Sequence, residues 1–255
     1  TFALTYVSGG FAAINDYSYC GYENRAGVNY VNELEEILKV AAANPGINYS
    51  TSYKYLNAAA NKKNVQNSER VTLFAYAGHG LKIDTSNNAL HFNEPYNSVS
   101  NKNHAKIDSN GENSYLINLR TTETKFNHKY VILYTCNQLA DQGVAAKKQN
   151  ILKMMNGTRL LLGFASTMYL DSREGRYFGS MLGEKTIINA YITAAKYYQP
   201  QKSDKKDTIA RVYGYIQAKN DRLDTASNYA PSYTSNPSSF EILNTTTIAC
   251  NGKDL

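Results

Sequence analysis

Two residues of this chain pair a nucleophile type with a base type, each at the end of an apolar run. Cys136 closes VILYTCN, Val131 to Asn137, and His79 stands between two glycines at the end of VTLFAYAGHG. Cysteine attacks as the thiolate, and a neighbouring imidazole can take its proton and later hand one to a leaving amine. Gly80 adds a third component, because a backbone N–H with no side chain beside it can approach a developing oxyanion. Each residue also has a plain explanation. Free cysteine is among the most buried residue types, a lone histidine suits a loop, and paired glycines make a turn. The conjunction of the two strand ends is what points to chemistry.

For these groups to meet, the chain must carry them on neighbouring strands, and its patterning supplies such elements. FALTYV reads as a buried strand ending at Ser8-Gly9-Gly10. From Gly27 to Asn44 the residues Val31, Leu34, Leu38 and Ala41 recur at helical spacing, stopped by Asn44-Pro45-Gly46. Tyr49 to Tyr55 reads as a second strand, with a helical piece around Leu56 to Lys63. Val71 to Ala77 and Tyr130 to Thr135 are apolar runs of strand length. Residues 84–128, rich in Asn, Ser and Lys, read as an insertion carrying an antiparallel hairpin, with Tyr115 to Leu119 as its best strand. Leu139 to Met155 reads as a helix closed by Asn156-Gly157, and Arg159 to Ala165 as a strand. Helices follow over Gly175 to Leu182 and Thr186 to Tyr198. TIARVYGYIQA fits a strand or a helix, and loops with an edge hairpin are expected after Asp221. Alternating strands and helices predict one α/β domain with a mostly parallel sheet, whose functional groups gather at the carboxyl ends of the strands.

Composition narrows the function. Apolar residues make up 42% of the 255, Trp is absent and Tyr reaches 22, so amphipathic aromatic surfaces are expected. The net charge of +6 is spread out, and its densest cluster, Lys202 to Asp207, carries its own acids. A basic face with interleaved aromatics is missing, which argues against nucleic acid as a partner. No apolar run approaches the roughly 20 residues of a membrane span. The opening TFALTYVSGG reads as a strand without a basic leader, as expected of a processed or trimmed start. Of three cysteines, Cys20 and Cys250 lie near opposite ends and either pair or stay reduced.

An apolar strand ending in GHG followed by a second whose end presents a cysteine resembles the signature of the caspase-hemoglobinase superfamily of cysteine peptidases. That group includes caspases, legumains, clostripains, gingipains and separases. The stretch RLLLGFASTMYLDSREGRYFGSML is also similar to the corresponding region of uncharacterised bacterial members. The resemblance implies a caspase-like three-layer α/β/α sandwich and an endopeptidase acting through an acyl-enzyme on a peptide or protein substrate, without a cofactor. His79 is then the general base and acid, Cys136 the nucleophile, and the N–H groups of Gly80 and Cys136 the oxyanion hole. Tyr134 and Thr135 precede the cysteine where many members carry an acidic residue and Ala or Ser, a departure that bears on substrate class. The resemblance, with a Cys20–Cys250 bridge, implies a secreted or cell-surface protein.

Members often build the S1 pocket after the strand flanking the catalytic one, where this chain has Asp171 and Glu174. An acid there favours Arg or Lys at P1; equally, both suit the N-terminus of a helix beside Ser172. Asp16 lines the same pocket or begins a turn. Tyr76, Tyr134 and Tyr169 are expected to pack first and to line a substrate second. His91, His104 and His128, with Glu94, lack the spacings of strong metal motifs, so no metal is expected and they read as solvated loop residues. The alternative to a peptidase is a non-catalytic caspase-like domain binding a protein or glycan through tyrosine-rich loops.

Overall fold

The computed structural model describes residues 5–17, 22–23, 26–41, 47–82, 88–91, 116–118, 126–199, 206–224 and 227–250. In chain order these form β1 (Thr5–Ala13), β2 (Asp16–Tyr17), β3 (Tyr22–Glu23), α1 (Gly27–Ala41), β4 (Ile47–Leu56), α2 (Lys62–Gln66) and β5 (Leu73–Ala77). There follow β6 (Gly80–Lys82), β7 (Asn88–His91), β8 (Leu116–Asn118), β9 (Tyr130–Tyr134), α3 (Ala145–Lys153) and β10 (Leu160–Phe164). The last are α4 (Ser172–Met181), α5 (Ile187–Tyr198), β11 (Thr208–Tyr215) and β12 (Phe240–Ile248). The result is a mixed α/β domain with one seven-stranded sheet in the order β12-β11-β10-β9-β5-β1-β4. Five strands, β4, β1, β5, β9 and β10, run parallel, and β11 and β12 close the sheet antiparallel. TIARVYGY is therefore strand, and Phe240–Ile248 forms the edge.

The central strands LFAYA, YVILY and LLLGF are buried along their whole length, which explains their unbroken apolar character. Alternate side chains enter two cores. Leu73, Ala75, Tyr130, Ile132 and Tyr134 meet Tyr30, Val31, Leu34 and Leu38 of α1, Phe178 of α4 and Tyr191 of α5. Phe74, Tyr76, Val131 and Leu133 meet Val65 of α2 and Ile151 and Leu152 of α3 on the other face. Burying each of the Leu, Ile, Val and Phe side chains among them contributes about 2 kcal/mol.

β1 does not stop at Gly9-Gly10. It runs on to Ala13 in ladders with β4 and β5, and a Cβ at either glycine would overlap the ring of Tyr49 or Tyr53 from β4. The glycines are sites of close approach, not a strand end. The third helix begins at Ala145, later than its apolar spacing suggests, since Gln142 and Gly143 take left-handed backbone with φ of 52° and 75°. Leu116–Asn118 pairs antiparallel with β7 inside the region expected to carry a hairpin, and β7 also pairs antiparallel with β6, which precedes that region.

Candidate active site

Pairing of β5 with β9 runs Leu73↔Tyr130 through Ala77↔Tyr134. His79 and Cys136 therefore occupy equivalent positions, each two residues beyond the last rung of adjacent parallel strands. The ladder extends one step further, with the Gly78 N–H donating to the Tyr134 carbonyl at 3.3 Å. Gly80 then folds under the turn that carries the cysteine. A Cβ there would overlap the Cys136 carbonyl, the Thr135 hydroxyl and the Gln138 side-chain amide. His79 and Gly80 are half-buried.

The cysteine sits on a sharp turn. Asn137 has φ of 61°, a left-handed conformation that asparagine tolerates better than most residues. Its N–H donates to the Ser166 carbonyl at 2.9 Å, and the Leu139 N–H to the Phe164 carbonyl at 3.0 Å. The turn after β9 is thus fastened to the end of β10 and to the 165–171 loop behind it. That loop also reaches the thiol. The Met168 N–H donates to Cys136 Sγ at 3.4 Å, and Sγ lies 3.6 Å from the Met168 carbonyl oxygen. Burial pushes the Cys136 thiol above its ordinary pKa, opposed by the bond from Met168.

Asp171 is the N-cap of α4. Its carboxylate accepts from the Arg173 N–H at 3.0 Å and from the Arg173 guanidinium at 2.9 and 2.6 Å. Glu174, one turn on, is buried at 1% exposure and belongs to the core behind the site. Its Oε2 accepts from the Tyr134 hydroxyl at 2.9 Å and from Gln199 Nε2 at 2.8 Å. Burial raises its pKa to about 8, against the lowering effect of those two bonds. The first helical turn explains both acids locally. Asp16 lies in the short β2–β3 ladder.

Tyr134 is a packing residue, stacked on Tyr30 with centroids 3.7 Å apart. Its hydroxyl also accepts from the Asp171 N–H at 3.0 Å, so it helps hold the loop. Gln199 completes that hold. Its Oε1 accepts from the Tyr169 N–H at 2.8 Å and its Nε2 donates to the Tyr169 carbonyl at 2.6 Å. Sequence reasoning missed Gln199, which reads as part of a charged linker. Its one signal is its place at the end of α5, just before Pro200.

His128 departs from the expectation of a solvated loop residue. It is buried at 3% exposure, stacks on Phe74 at 4.7 Å, and its Nδ1 accepts from the Val71 N–H at 3.3 Å. The strand β5 and the bridge at Phe126 enclose it. Among the described residues no cluster of His, Cys, Asp or Glu is arranged to hold a metal ion. His104, Glu94 and Cys20, and with Cys20 the bridge to Cys250, lie outside the described residues. No helix among the described residues is long and apolar enough to cross a membrane.

One family model, described as a domain of unknown function (DUF6345), matches residues 13–244. No curated protein matches the chain.

Proposed function

We propose that this chain, which belongs to the DUF6345 family, is a cysteine endopeptidase of caspase-like α/β/α architecture. One observation carries the reading: His79 and Cys136 stand at the same height beyond paired parallel strands, with Gly80 folded against the cysteine's carbonyl. The Cys136 thiolate attacks a peptide carbonyl, its proton passing to His79. The tetrahedral intermediate collapses as His79 protonates the leaving amine, and His79 then activates water to release the acyl group. The N–H groups of Gly80 and Cys136 face the developing oxyanion. No cofactor takes part. A basic P1 side chain meets Asp171 by displacing Arg173 from it, whereas Glu174 acts from behind the site. We place the protein outside the cell or at its surface, on the resemblance to bacterial members of this superfamily.

The test is hydrolysis of fluorogenic peptides with Arg, Lys, Asn or Asp at P1 by the wild type and by Cys136→Ala. Turnover that vanishes in the variant supports the peptidase, and preference for Arg or Lys supports the role of Asp171. A second reading, a non-catalytic domain of this architecture that binds a protein or glycan, is favoured by one observation: the thiol is held against Met168 and its pKa is raised. Absence of turnover across the panel selects it.

A further inference from the structure

The thiol of Cys136 is covered by a loop that has its own fastening. Residues 166–171 pass over the sulfur with the backbone of Met168, and Met168 itself is buried at 4% exposure. Thr167, beside it, is exposed, Ser166 and Tyr169 are half-buried, and Leu170 packs half-buried against the core, so Met168 and Leu170 are the loop's apolar anchors. Polar bonds supply the rest. Gln199 clamps Tyr169 through both its N–H and its carbonyl, and Nε2 of the same side chain reaches Glu174. Glu174 in turn accepts from Tyr134, whose hydroxyl receives the Asp171 N–H. Both ends of the Met168–Asp171 segment are thereby tied to side chains that are almost wholly buried, one from the end of α5 and one from β9.

We propose that Gln199 and Glu174 are positioning residues that latch the 166–171 loop over Cys136, so that the described arrangement is the closed state and release of the latch uncovers the nucleophile. The role of the uncovered thiol as a nucleophile rests on the peptidase reading; the latch does not. In a low-dielectric interior a shared carboxyl and a bidentate amide hold backbone more firmly than either would in water. A short loop held by only two apolar side chains, one of them half-buried, lies toward the low-stability end of a structure, so a few such bonds weigh heavily on its opening. Met168 covers the sulfur only while Tyr169, its neighbour, is held.

The experiment is peptide-resolved alkylation of Cys136 by iodoacetamide at pH 7.5, with thermal melts confirming that each variant is folded. Gln199→Leu and Glu174→Leu should raise the rate about tenfold or more, while Glu174→Gln, which keeps a neutral acceptor in place, should stay within about twofold of wild type. A folded Gln199→Leu with the wild-type rate overturns the latch. Where that variant does not fold, hydrogen exchange in the wild type decides: the Tyr169 amide should be far better protected than that of Thr167, and equal exchange overturns the proposal. The two readings fail separately. A chain that hydrolyses no peptide but shows this alkylation pattern keeps the latch and loses the peptidase, and an active chain whose thiol ignores Gln199 loses only the latch.

Discussion

A Cβ at Gly80 would overlap the carbonyl oxygen of Cys136, so no side chain has room between the two strand ends. A backbone oxygen cannot swing aside as a flexible side chain can. Gly80→Ala should therefore push the 78–80 segment away from the cysteine turn and cost about 1–3 kcal/mol, as overpacking elsewhere does. Urea denaturation reads the loss, and under the proposed peptidase function the same variant should lose peptide hydrolysis through displaced His79. An unchanged midpoint would show that the segment yields without cost.

His128 makes the fold sensitive to mild acid. Burial, and secondarily the charge of Arg70, lowers its pKa to about 4 from the ordinary 6.5 of a histidine. The unfolded chain thus takes up a proton that the folded chain refuses, and stability falls as pH drops from about 6.5 to 4, by roughly 3 kcal/mol in all. Below that range both states are protonated and this contribution is constant. His128→Phe, which keeps a ring against Phe74, should flatten that limb of the stability–pH curve. An identical slope in the variant would mean the histidine is charged in the fold.

Much of the site is legible in the chain because its parts lie at strand ends, where apolar runs give way to Gly-His-Gly or to Thr-Cys-Asn. The sheet's parallel core is legible for the same reason: LFAYA, YVILY and LLLGF are apolar throughout. What is not legible depends on partners distant in sequence. Gly9 and Gly10 look like a strand's end until Tyr49 and Tyr53 of the next strand are seen to occupy the space of their missing side chains. Glu174 has the pattern of a helix-start acid facing solvent. Only the packing of α4 against α1 and α5 turns it inward, onto the Tyr134 hydroxyl. His128 resembles the loop residues around it, and its burial follows from Phe74 and Val71, more than fifty positions earlier. The left-handed Asn137 has a weak local signal, asparagine after a strand-end cysteine, which periodicity does not weigh.

At the opposite end of β10, Arg159 and Asp221 form an ion pair with both side chains 9% exposed, the Nε–Oδ2 distance being 2.5 Å. The Tyr130 hydroxyl adds a bond to the same carboxylate oxygen at 3.0 Å. Asp221→Ala leaves the guanidinium buried and without its counter-ion, so unfolding free energy should fall by about 3–5 kcal/mol. Replacing both partners by apolar residues, Arg159→Met with Asp221→Leu, should recover much of that loss, since the penalty belongs to the orphaned charge. Chemical denaturation of the single and double variants measures the difference, and a double variant no better than the single would assign the loss to packing.

Glu174 should act on stability in the opposite direction to His128. Its pKa is raised to about 8 from 4.5, first by burial and less by Asp171, against the hydrogen bonds from Gln199 and Tyr134. Between those values the folded chain holds a proton that the unfolded chain has released. Stability from this carboxyl is therefore fully present below about 4.5 and is lost as pH rises through about 8. The other ionisable groups facing it are Tyr30 from α1, Tyr134 from β9 and Tyr191 from α5, all with raised pKa values and hence silent in this window. Asp171, at the start of α4, is already paired with Arg173. Glu174→Gln cannot ionise, so its stability relative to wild type should climb from pH 4.5 and level off above pH 8. A constant difference between the two proteins across that range would mean that Glu174 is ionised in the fold, with water or a cation admitted behind Cys136.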